Sequence, residues 1–182
     1  MFPKLEETDV TSNNNTQSSY LGPGAHTVSI KSFKTSDENA GYRGTPYFEF
    51  IVENNDGVAF LKFSGIDSHT SEAAAKVRTS IFKSFLVAAG ATTYKDPQMA
   101  SNSIIGKKLE VCLASREYWT TDKDTNTPVI KSRIEYKFAN PLGQKITFKE
   151  SFNKPLSAED RAAYEQALRL DSAPSSEVQT PF

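Results

Sequence analysis

Two histidines and one cysteine are the whole stock of imidazole and thiol in this chain of 182 residues. That scarcity excludes an internal disulfide and a multi-cysteine metal site. His26 and His69 stand alone, at no spacing that matches a zinc site or an H-E-x-x-H pair. No G-x-x-x-x-G-K-[ST] phosphate loop and no G-x-G-x-x-G is present. No apolar run approaches the ~20 residues of a membrane span, so no membrane partner is expected. The opening MFPKLEETDV has no basic start followed by an apolar stretch. No signal peptide is expected, and the setting expected is cytoplasmic. Cys112 sits among apolar neighbours in a strand pattern and reads as a structural thiol. The loop acids Asp37, Glu38, Asp56 and Asp67 carry no recognisable signature, and hard cations need several converging oxygens. The chain is therefore read as no enzyme, with no cofactor and no metal.

Charge of one sign is also in short supply, since the net charge is −1. It is unevenly spread. Residues 21–150 carry 17 basic and 14 acidic residues, while each end is acidic by two charges. A mildly basic body between acidic ends suits an anionic partner, although a neutral domain with solvated ends has the same arithmetic. Hydrophobic residues make up 37%, below the globular average, and the deficit lies at the ends. Residues 1–20, with TSNNNTQSS, and 171–182 bury too little apolar surface to offset ordering entropy and are expected to be disordered.

What is present is an order of elements. Alternating apolar and polar residues mark strands at Ala25–Lys34, Pro46–Asn54 and Gly57–Ile66. NNDG at 54–57 joins the second and third as an antiparallel hairpin. A helix follows at Thr70–Ala89, capped by Ser68 or Thr70 and stopped by Gly90. Its apolar face is read as Ala74, Val77, Ile81, Phe82, Phe85, Leu86 and Ala88. After a loop holding Asp96, Pro97 and Gln98, strands resume at Lys107–Thr120 and Pro128–Phe138. In the fourth strand Leu109, Val111 and Leu113 face in and Lys108, Glu110 and Cys112 face out. In the fifth, Ile130, Ile134, Tyr136 and Phe138 lie on or near one face. KITF at 145–148 reads as a further edge strand, and Ser157–Leu170 as a helix capped by Ser157. Strand-strand-strand-helix-strand-strand is the chain order of an OB-fold, a five-stranded barrel that often binds oligonucleotides. The expected layout is an arm at 1–20, the OB domain at 21–150, a helical extension at 151–170 and a tail at 171–182.

Single-strand binding needs cations along a groove and aromatic faces for bases. Both occur, interleaved. Tyr42 and Arg43 lie in the first long loop, beside Tyr47. Phe60 and Lys62 alternate with the inward Leu61 and Phe63, a slip of one residue exchanging the two sets. Arg116, Tyr118 and Trp119 close the fourth strand, Lys108 opens it, and Lys131, Arg133 and Lys137 stripe the fifth. Phosphate contacts are assigned to Lys62, Lys108, Arg116, Lys131 and Arg133, and stacking to Tyr42, Tyr47, Phe60, Tyr118 and Trp119, with Arg43 beside them. The competing reading is a rim cover and a solvated edge.

GAHTVSI, PYFEFIVENNDG, a helix ending AAG, and IIGKKLEV together resemble the small OB-fold single-stranded DNA-binding proteins of tailed phages, over residues 22–138. The last residues, EVQTPF, resemble the apolar tip of the acidic tails on such proteins, with Pro181 and Phe182 at the matching positions. This tail is less acidic, with Asp171 and Glu177 alone. The resemblance implies single-stranded DNA as ligand, a role in replication or recombination, replication or recombination proteins as partners of the tail, and the host-cell cytoplasm. Self-association and DNA against RNA stay open. The alternative is a protein-interaction or virion-associated β-domain.

Overall fold

The computed structural model describes residues 19–36, 47–64, 71–92 and 95–171. Five strands form one antiparallel sheet: β1 (Gly24–Thr35), β2 (Tyr47–Asn54), β3 (Gly57–Ser64), β4 (Lys108–Thr121) and β5 (Pro128–Pro141), in the order β3-β2-β1-β4-β5. The sheet curls so that its edge strands meet. Phe63 on β3 and Tyr136 on β5 touch edge to face at 5.1 Å between ring centroids. Among the described residues no ladder joins β3 and β5, and side chains close the barrel. The result is an OB-like, mainly β barrel with α1 (Glu72–Ala88) between β3 and β4 and α3 (Ala158–Asp171) after β5.

The alternation of the strands decides the inside. Ile30, Phe50, Val52, Leu61, Phe63, Leu109, Val111 and Leu113 are all buried. The inward assignment of Leu61 and Phe63 holds, and Phe60 is 46% exposed. α1 inserts Phe82 and Phe85 among Phe48, Phe50, Phe63 and Tyr136, at centroid distances of 4.9 to 6.3 Å. Each fully buried aromatic contributes about 1.5–3 kcal/mol of transfer free energy, so this cluster dominates the core.

Ser71, one residue beyond the expected caps, accepts the Ala74 amide at 3.4 Å. Ser68 and Thr70 lie outside the described residues. Gly90, at φ +75°, ends α1 in a Schellman turn: Gly90 N–H donates to Val87 and Ala91 N–H to Leu86, each at 2.9 Å. Only the C-terminal half of α1 is sunk in the core. Val77 and Ile81, expected on the apolar face, are 59% and 42% exposed. Val77 lies two turns back from Phe85 and about 80° round the helix, at 100° per residue.

Three further expectations are corrected. The loop after α1 contains a short helix, α2 (Pro97–Ser103), capped by Asp96, whose Oδ1 accepts the Gln98 and Met99 amides at 2.8 and 3.1 Å. KITF forms no strand, because the chain turns away from β5 at Pro141, where Gln144 N–H returns to the Pro141 carbonyl at 3.0 Å. Phe138 faces away from Tyr136. A register shift skips Lys137, pairing Tyr136 with the inward Leu113 and Phe138 with the outward Cys112.

The chain's own C-terminal extension folds back along the β4–β5 hairpin. Glu110, Cys112 and Ala114 are buried although they point away from the core. Phe152 packs edge-on against Phe138 at 5.8 Å. Lys154 pairs with the β4 edge beyond the end of β1: its N–H reaches Ser115 at 2.8 Å and its carbonyl takes Glu117 N–H at 2.9 Å. Ser157 Oγ accepts the Asp160 amide at 3.0 Å and starts α3, whose Tyr164 lies 6.5 Å from Trp119. At the other edge, Ser19–Leu21 lie beside β3. Val58 N–H donates to Ser19 at 2.9 Å and Leu21 N–H to Val58 at 2.8 Å.

Candidate nucleic-acid interface

Where β3 and β5 approach without pairing, a groove of about 520 Å³ opens on the outside of the barrel. Period-two alternation aims Phe60, Lys62 and Ser64 outward from β3, since Leu61 and Phe63 point in. Arg116 on β4 and Arg133 on β5 are Cα partners, so both stand on the same outer face of the hairpin. α1 crosses the foot of the seam and adds Arg78 and Ile81. Among the described residues, the lining thus holds Lys62, Arg78, Arg116 and Arg133 against one carboxylate, Glu135, with Phe60, Ile81 and Ile134 as apolar surface.

Each cation has a defined hold. Lys62 Nζ sits 3.7 Å above the centre of the Tyr47 ring. Arg78 donates to the Ser64 carbonyl at 3.2 Å. Arg133 donates through Nε and Nη2 to Glu135 Oε1 at 3.1 and 2.8 Å and lies 5.8 Å from the Tyr118 ring centre. Arg116 Nη1 is 3.6 Å from the same oxygen. Burial alone raises the Glu135 carboxyl, but the Arg133 hydrogen bonds and charge, with Arg116 and Lys137 behind them, outweigh it and hold the group below its ordinary value. On β1 and β2 two lysines are matched by carboxylates. Lys34 pairs with Glu49 and Lys31 with Glu53, both at 2.8 Å. At the seam, among the described residues, four cations share one carboxylate.

Phe60, Lys62, Arg116 and Arg133 come together in the groove, with Tyr47 and Tyr118 at its flanks. Lys131, opposite Tyr118 in the ladder, lies farther along the hairpin and pairs with Asp122 at 3.7 Å. Lys108 is apart, beside the β2–β3 hairpin residues Asn54 and Asn55. Eight residues separate it from Arg116, about 26 Å along a strand. Trp119 alternates to the face opposite Arg116 and Tyr118 and is half-buried against Tyr164. Tyr42, Arg43, Pro181 and Phe182 lie outside the described residues, as do Asp37, Glu38 and Asp67. Among the described residues no group of three or more His, Cys, Asp or Glu side chains is placed to hold a metal, and no helix is long and apolar enough to cross a membrane.

Three groove-side residues, Glu135, Arg78 and Tyr20, escaped the sequence reading. Arg78 is legible as a cation off the apolar face of α1, but periodicity does not say which strands that helix crosses. Tyr20 falls in a segment read as a disordered arm. Its backbone is clamped to β3 while its ring, 74% exposed, lies 6.1 Å from Phe60. The glycine of NNDG is the available hint, because a Cβ on Gly57 would stand 2.0 Å from the Ser19 carbonyl oxygen.

No family model matches this chain. No curated protein matches it either. A solved structure described as yeast RPA bound to ssDNA aligns with 94% of this chain and 98% of that one, at 9% sequence identity and a TM-score of 0.29. At that score the groove's own geometry has to carry the functional reading.

Proposed function

We propose that the chain is a non-enzymatic, sequence-tolerant single-stranded DNA-binding protein that acts in phage DNA replication or recombination. The observation that carries this reading is the β3–β5 groove, where Lys62, Arg78, Arg116 and Arg133 surround exposed Phe60 and one carboxylate. Phosphates lie along the four cations. Bases stack on Phe60, with Tyr20 beside it, and on Tyr47 and Tyr118. Each base–aromatic stack contributes about 1–3 kcal/mol, and every base has a π-face, so affinity comes without sequence preference. The tail that ends in Pro181 and Phe182 is assigned to partner docking.

The test is titration with oligo-dT across a range of salt. Each phosphate contact on a single strand contributes about −0.7 to the slope of log K against log salt. R116A/R133A is therefore expected to flatten the slope by about 1.4. F60A is expected to lose about 1–3 kcal/mol of affinity while leaving the slope alone. Lys108→Ala, far from the groove, is expected to change neither. A wild-type protein that shows no gel shift at low salt, or an R116A/R133A slope equal to wild type, overturns the reading.

A further inference from the structure

Arg116 and Arg133 stand directly opposite each other on an antiparallel pair, an arrangement that costs free energy for like charges. Glu135, two residues along β5 on the same face, removes that cost. Both guanidinium groups converge on its Oε1, at 2.8 Å from Arg133 and 3.6 Å from Arg116. The carboxylate is 23% exposed, whereas the arginine side chains are 48% and 56% exposed. The anion therefore sits at the base of the site, with the cations reaching past it toward solvent. One oxygen gathering two guanidinium groups is also how a phosphate oxygen would be held there.

We propose that Glu135 is an internal stand-in for a backbone phosphate, which keeps Arg116 and Arg133 poised in the empty groove and limits how tightly the groove holds a strand. This rests on the single-strand reading above. An arriving phosphate must share or displace the carboxylate, so part of the arginine charge is already spent. Fewer condensed counterions are then released on binding, and release of the strand is correspondingly easy.

Glu135→Gln has the same shape, keeps an acceptor for Arg133 and removes the charge. E135Q is expected to bind oligo-dT several-fold more tightly at low salt, with a salt slope steeper by about 0.7, the worth of one phosphate contact. Glu165→Gln, the same charge change on the exposed side of α3, is expected to leave affinity and slope as in wild type. In an R116Q/R133Q background E135Q is expected to gain nothing, because no guanidinium is left to free. Thermal unfolding of each variant confirms that the proteins compared are folded. Binding by E135Q that is equal to or weaker than wild type overturns the proposal, as does a gain that persists in the R116Q/R133Q background. Absence of binding by wild type itself would instead remove the single-strand reading.

Discussion

Phe50 illustrates how much rests on one side chain. It is fully buried, and its ring lies within 6.3 Å, centroid to centroid, of Phe33, Phe63, Phe82 and Phe85. Truncation leaves a cavity that β2 and α1 cannot both collapse into. Phe50→Ala is expected to cost about 3–5 kcal/mol, read from the denaturant midpoint at unchanged m-value. Glu135 makes a prediction of the opposite kind. Its carboxyl is held below the ordinary value in the folded chain. The stabilisation is therefore present above the unfolded carboxyl value of ~4.3 and is lost as pH falls through the folded one. Melting temperatures below pH ~4.3 should fall more for wild type than for E135Q. Identical pH profiles would show that the arginines gain nothing from the charge.

At the scale of elements, the two ends of the described chain act as edge covers. β3 and β4 each leave backbone donors unpaired where the sheet stops, and buried or sticky edges are a liability. Ser19–Leu21 cover part of one, and Lys154 pairs with the other. The first cover depends on Gly57, since any side chain there collides with the Ser19 backbone. Gly57→Ala is expected to release the arm, speeding proteolysis near Tyr20 and weakening oligo-dT binding through loss of the Tyr20–Phe60 pair. Trp119 reports on the other end. Its partner is Tyr164 of α3, so Tyr164→Ala should shift Trp119 emission to the red with little change in DNA affinity. Strong quenching of Trp119 by oligo-dT in the wild type would instead place DNA on that face.

At the scale of the whole molecule, a net charge of −1 coexists with a groove of four cations. The two facts are compatible because exposed charges farther apart than a Debye length, about 8 Å at physiological salt, scarcely feel each other. On the proposed reading, binding is set by the local charge at the seam, and the net charge predicts little about it.

Strand and helix order, the inward face of β3, the α1 stop at Gly90 and the Ser157 cap were all legible in sequence, because each depends on a period or on a residue and its near neighbours. Asp96-Pro97 was a legible helix start that the loop-like composition around it concealed. Other features were settled only by residues far apart in the chain. The bulge at Lys137, which turned Phe138 outward, arises from the fit between two twisted strands. Pairing of the β4 edge at Ser115 and Glu117 depends on Lys154, some 40 residues away, folding back. The groove itself has no local signature. Phe60, Arg78, Arg116 and Arg133 come from four elements, and only closure of the barrel, through Phe63 against Tyr136 with α1 laid across the seam, brings them to one place. Sequence determines periodicity and local hydrogen bonding; tertiary structure decides which faces meet, because that choice is made by burying the shared core.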